Sequence, residues 1–171
     1  MGLSLNEGLG GTRRGMCALH CVRATMGQRY ECRAEGVGVT RFVIGPDVAL
    51  SLAETRAVLP GQHQLLAPTL LRSQVLAHLY GQVQRGEFSR KEAGARLDYL
   101  RGLQIRLLGD RVLQQLAWKM AEQLGWADTF VAEYLALTSL QADALVVRDR
   151  DLMRIAAGLV QVVPLETLLS G

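Results

Sequence analysis

Two aspartates sit where a folded chain could put them to chemical use. Asp47 follows the apolar run Phe42-Val43-Ile44, and Asp149 follows Leu145-Val146-Val147. Short apolar runs of this kind read as buried strands. In an open α/β sheet, ligands bind beyond the carboxyl ends of the strands. Two carboxylates converging there would offer the hard oxygen ligands that Mg2+ or Mn2+ prefers while it keeps several waters. Each aspartate also suits a plainer role, because Asp is a favoured helix N-cap. Their recurrence at equivalent strand-to-helix junctions is what makes a shared site worth considering.

The intervening pattern supplies the elements that must hold them. The run Phe42 to Ile44, closed by Gly45-Pro46, predicts a strand, and Val48, Leu50, Leu52 and Ala53 predict a helix after it. Leu65-Leu66-Ala67 predicts a second strand stopped by Pro68, followed by a helix through Leu70, Leu71, Val75, Leu79 and Val83 that Gly86 ends. Ser89 opens the next helix with Glu92 placed for a capping box, and Leu97 and Leu100 continue its apolar face. Ile105 to Leu108 is a third strand. Val112, Leu116, Trp118, Met120 and Leu124 mark a long helix ended by Gly125, with Trp118 and Trp126 read as core and helix-end packing. A helix from Asp128 or Thr129 through Tyr134 and Leu137 precedes a fourth strand, Ala144 to Val147. Asp149 opens a helix through Leu152 and Ile155, Leu159 to Val163 is a last strand, and Leu165 to Leu169 a last turn or helix. Apolar strands alternating with helices predict an α/β fold: three layers, with a central, mostly parallel sheet and helices on both faces.

Composition narrows the class. The chain has 171 residues, 49% of them apolar and 20% charged, which excludes disorder along its whole length. No stretch of eighteen apolar residues predicts a membrane span. The net charge of +3 permits nucleic acid as a partner without demanding it. Residues 1–40 hold eight glycines and five arginines without periodicity. They are expected to be a flexible extension or to precede the true start of the domain, which then runs from 41 to 171. Cys17, Cys21 and Cys32 lie in this stretch, too few and too local for a disulfide framework, and with His20 they lack a zinc-finger spacing. Without a secretory signal pattern, a reducing cytoplasmic setting is the expectation. His63 and His78 show no ligand spacing. No glycine-rich loop follows a strand, which counts against a small phosphorylated ligand.

From Arg41 to Leu169 the chain resembles the PIN-domain family, and in particular the VapC-type toxins of bacterial toxin–antitoxin pairs. The stretches FVIGPDVAL, LLAPTLLRSQVLAHLYGQVQRGEFS, RLLGDRVLQQLAWKMAEQLG and FVAEYLALTSLQADALVVRDRDL carry the resemblance through their order and spacing. It implies a PIN-like fold and a Mg2+- or Mn2+-dependent endoribonuclease in which acidic side chains hold metal that activates water against an RNA phosphodiester. It further implies a homodimer and a cognate antitoxin whose C-terminal segment blocks the acidic groove.

Carried over residue by residue, the resemblance puts the first family Asp on Asp47 and the last on Asp149, with Val147 where a Thr is usual. The Glu of the second helix falls on Gln74, whose carbonyl oxygen can still touch a metal or its water. The Asp of the later helix falls on Val131. The absence of two charges costs several kcal/mol of metal affinity at an effective dielectric of about 20. Asp128 is the nearest compensating ligand, or alternatively a cap accepting from the Val131 amide. Glu133 is expected on another face as a surface or salt-bridge residue, Asp143 at the wrong end of the sheet, and Asp151 in a solvated first turn. Arg72, Arg148, Arg150 and Arg154, with Arg13 and Arg14 in the extension, are candidates for RNA phosphates. The same substitutions support an alternative reading, a catalytically degenerate PIN domain that binds antitoxin or RNA.

Overall fold

A computed structural model describes residues 39–170. The expectations for Cys17, His20, Cys21, Cys32, Arg13 and Arg14, and for the extension itself, lie outside the described residues. The chain order is β1 (Thr40–Ile44), α1 (Pro46–Thr55), β2 (His63–Pro68), α2 (Leu71–Gln84), α3 (Arg90–Gly102), β3 (Ile105–Leu108), α4 (Arg111–Leu124), α5 (Phe130–Gln141), β4 (Ala144–Val146), α6 (Arg150–Ala156), β5 (Val162–Val163) and α7 (Leu165–Leu169).

The strands form one sheet in the order β3-β2-β1-β4-β5, with every described pairing parallel. Parallel strands covered on both faces must be apolar throughout, and the central ones are: Val43, Ile44, Leu66, Ala67, Leu145 and Val146 are all buried. The helices sort into two groups. α1, α2 and α3 pack on one another, while α5 packs on β1, β2 and β4 and carries α4 on its back. This is the three-layer α/β arrangement the sequence pattern predicts. Leu52, Leu79, Leu113, Leu135 and Leu137 fill the space between layers with almost no exposure. Burying a side chain of this size is worth about 1.5–3 kcal/mol.

Local chemistry explains most boundaries. Pro46 opens α1 at a position whose amide has no helical partner anyway. Ser89 caps α3 by accepting from the Glu92 amide at 3.2 Å, but the Glu92 carboxylate turns to Arg96, so only half of the expected capping box forms. Gly125 ends α4 in the left-handed region at φ 64°.

Two expectations shift. The final strand shrinks to Val162–Val163, because the Leu159 and Val160 amides both bond back to the Ala156 carbonyl and prolong the turn after α6. In α4 the buried stripe is Leu113, Ala117 and Ala121 rather than Val112 and Trp118, which are 59% and 63% exposed. Small residues let α4 lie close to α5, and that contact selects the helix phase over side-chain size. Trp118 is therefore not a core residue, whereas Trp126 does pack against the core.

Candidate metal and phosphate site

The register of the sheet brings the two aspartates to one edge. Ile44 of β1 pairs with Val146 of β4, and Asp47 and Asp149 each lie three residues beyond that pair on neighbouring parallel strands. Both side chains are exposed. Their local roles differ. Asp149 caps α6, its Oδ1 accepting from the Leu152 amide at 2.7 Å. One carboxylate oxygen thus remains for other work. Asp47 sits in the first turn of α1 with Gly45 as the cap residue and no side-chain cap bond. Its carboxylate folds back over Gly45: a Cβ at that position would lie 2.7 Å from Asp47 Oδ1. The glycine is what gives the carboxylate room, and Asp47 occupies the space a side chain at 45 would fill.

Gln74 of α2 joins this edge through a partner that the sequence reading did not single out. The Tyr134 hydroxyl of α5 donates to Gln74 Oε1 at 2.6 Å. Tyr134 is 5% exposed, and burial raises its hydroxyl far above the usual phenol range, with the Glu133 and Asp47 charges adding to the effect. The phenol therefore stays a proton donor. One lone pair of the Gln74 oxygen expected to face a metal is engaged, leaving the second lone pair and the amide N–H groups. The only trace of this in the sequence is a Tyr immediately before the apolar run Leu135 to Leu137.

The remaining candidates separate. Asp128 Oδ1 accepts from the Phe130 amide at 3.0 Å, not from Val131, so it folds the turn ahead of α5. Among the described residues no three His, Cys, Asp or Glu side chains gather as a metal cluster, so the set Asp47, Asp149 and Asp128 is not assembled as expected. Val131 packs half-buried against the core. Glu133 is half-buried as well, in no ion pair among the described residues, and desolvation raises its carboxyl above the usual range. The expectation of a surface or salt-bridge residue is corrected there. Asp143 accepts from the Arg41 amide at 2.7 Å, at the amino end of β4 as anticipated.

Cations ring the same edge. Arg72 lies in the first turn of α2, Arg111 opens α4, Arg148 precedes α6 and Arg150 begins it. All four are exposed and none forms a salt bridge among the described residues. The arginines that do pair, Arg85, Arg96, Arg101 and Arg154, lie elsewhere on the helices. Arg154 is held by Asp151 at 2.8 Å and so leaves the candidate set. Arg111 enters it, by the same strand-to-helix logic that singled out the aspartates. A groove of about 700 Å³ lies between α1, α2, α3 and β3, lined largely by leucines and sharing Arg72 with this edge.

No family model and no curated protein matches the sequence. The fold has known company. The crystal structure of PAE2754 from Pyrobaculum aerophilum matches with a TM-score of 0.58 at 18% identity, over 78% of this chain and 96% of that one. The crystal structure of VapBC2 from Rickettsia felis, bound to a DNA fragment from their promoter, matches with a TM-score of 0.47 at 13% identity, over 73% of this chain and 98% of that one. At such identity the likeness to PAE2754 is one of fold alone. Among the described residues no helix is long and apolar enough to cross a membrane.

Proposed function

We propose that the protein is a divalent-cation-dependent endoribonuclease of the PIN/VapC type, the toxin half of a toxin–antitoxin pair. The observation that carries this reading is the matched placement of Asp47 and Asp149 beyond the Ile44–Val146 pair. Asp47 and the second oxygen of Asp149 would hold Mg2+ or Mn2+, a largely hydrated ion suited to so small a set of hard donors. When bound, the ion activates water and offsets charge on the phosphate. The chain's own groups do the rest. Gln74, steadied by the Tyr134 hydroxyl, orients a water through its amide. Arg72, Arg111, Arg148 and Arg150 neutralise the phosphates on either side of the bond to be cut. The cognate antitoxin and a homodimer follow from the family resemblance.

A second reading has its own support. With no third acidic ligand among the described residues, Val131 half-buried against the core and Gln74 Oε1 bonded to Tyr134, the edge also suits a PIN domain that binds RNA or antitoxin without cutting. Incubating single-stranded RNA with the protein and Mn2+, beside Asp47→Asn and Asp149→Asn variants, decides between them. Metal-dependent cleavage reduced at least a hundredfold in both variants is the expected result. RNA bound but left intact by the wild type in either metal would establish the binding module instead. Cleavage unchanged in both variants would sink the site assignment.

A further inference from the structure

Trp118 is a large aromatic left open on a polar face of α4. Its indole N–H donates to Glu122 Oε1 at 2.7 Å, one turn along α4, which fixes the ring while leaving the side chain 63% exposed. The surroundings are polar, with two cations and one anion. A shallow depression of about 620 Å³ is lined by Arg111, Gln114, Gln115, Trp118, Lys119 and Glu122. Arg111, Gln114, Gln115, Trp118 and Glu122 recur at helical spacing and form one stripe, on a face other than that of Leu113, Ala117 and Ala121, which are buried. Arg111, at the head of the stripe, follows the carboxyl end of β3 and belongs to the cationic edge already described. Trp118 lies seven residues farther on, about 10 Å along the axis.

A face meant for a second protein chain would place apolar residues around a tryptophan at its centre. Here glutamines, an arginine and a lysine surround it, and the two cations outnumber the one anion. That combination is the one that holds single-stranded nucleic acid: cations track the backbone while a fixed aromatic stacks a base, whatever its identity. Glu122 is occupied with the indole N–H and keeps the ring presented.

We propose that the Arg111–Trp118–Lys119 face of α4 is a single-stranded RNA subsite in which a base stacks on Trp118 and Arg111 and Lys119 meet the adjoining phosphates. This inference rests on the reading of the protein as RNA-directed and adds to it a place for the strand beyond the acidic pair. It accounts for two features that the fold itself does not need, an exposed tryptophan and an arginine that forms no salt bridge among the described residues.

The test is binding of a fluorescein-labelled 12-nucleotide single-stranded RNA to the full chain, followed by anisotropy in EDTA, with cleavage in Mn2+ measured separately. Trp118→Ala should weaken binding about tenfold, the loss of one stacking contact. Trp118→Phe should recover most of the affinity, and Arg111→Ala and Lys119→Ala should each weaken it severalfold. Wild-type affinity in Trp118→Ala would overturn the proposal. So would unchanged RNA binding accompanied by a shift in sedimentation, since α4 would then be a self-association face. Failure of RNA to bind the wild type would also overturn it. Trp118-dependent binding without any cleavage would leave the subsite standing and remove only the hydrolytic reading. Cleavage that depends on Asp47 with no effect of Trp118→Ala would do the reverse.

Discussion

Asp149 carries two jobs that substitution can separate. Its Oδ1 caps α6 while its charge faces the edge shared with Asp47. Asparagine caps as well as aspartate, whereas alanine does not cap. Asp149→Asn should keep the melting temperature within about 1 °C and still abolish Mn2+ binding, read by calorimetry. Asp149→Ala should lose the metal and about 1 kcal/mol of stability, near 3 °C in melting temperature. Glu133 makes a different kind of prediction. Burial raises its folded pKa above the ordinary value of 4.5, so the native state holds that proton more tightly than the unfolded chain does. Stability from this group is full below the ordinary value and is lost as pH rises through the raised one. Glu133→Gln should raise the melting temperature at pH 7.5, by no more than about 2 °C because the group stays partly solvated. The gain should vanish as the pH approaches 4.5, which a pair of thermal scans would establish.

Among the elements, α1 ends with a conformational cost in view. Arg56 closes it at φ 49°, in the left-handed region, with its amide bonded to the Leu52 carbonyl. A side chain there costs roughly 1 kcal/mol relative to glycine, partly offset by the greater freedom glycine gives the unfolded chain. Arg56→Gly should therefore stabilise the protein by a fraction of a kcal/mol in a urea titration. Elements were the scale at which the sequence was most legible. The central strands fell where the apolar runs lay, because strands buried on both faces admit little else. Ser89, Gly125 and Asp149 marked helix ends through chemistry that is local to the chain. What stayed hidden was set by contacts distant in sequence. The phase of α4 depends on α5, and the hydrogen bond from Tyr134 to Gln74 spans sixty residues. The fate of Asp128 turned on a single step, from the amide of Val131 to that of Phe130. Asp47 was legible as a residue at a junction, but the folding of its carboxylate over Gly45 was not.

Taken whole, the molecule gathers both cations and carboxylates at one edge of its sheet. Among the described residues Arg72, Arg111, Arg148 and Arg150 form no salt bridge and are exposed at the sheet edge that holds both aspartates, whereas Arg85, Arg96, Arg101 and Arg154 are ion-paired. If four phosphates are met there, the logarithm of RNA affinity should fall with the logarithm of salt at a slope of about −3, and Arg148→Ala should lower that slope by about 0.7. A titration across a range of KCl concentrations measures both. The strand order has a consequence in time as well. β1 is synthesised ahead of every other strand, yet it lies in the middle of the sheet between β2 and β4. A growing chain can pair β1, β2 and β3 while its fourth strand is still unmade. Until residue 149 has left the ribosome, Asp47 stands alone, and a nascent or prematurely stopped chain carries only half of the acidic pair.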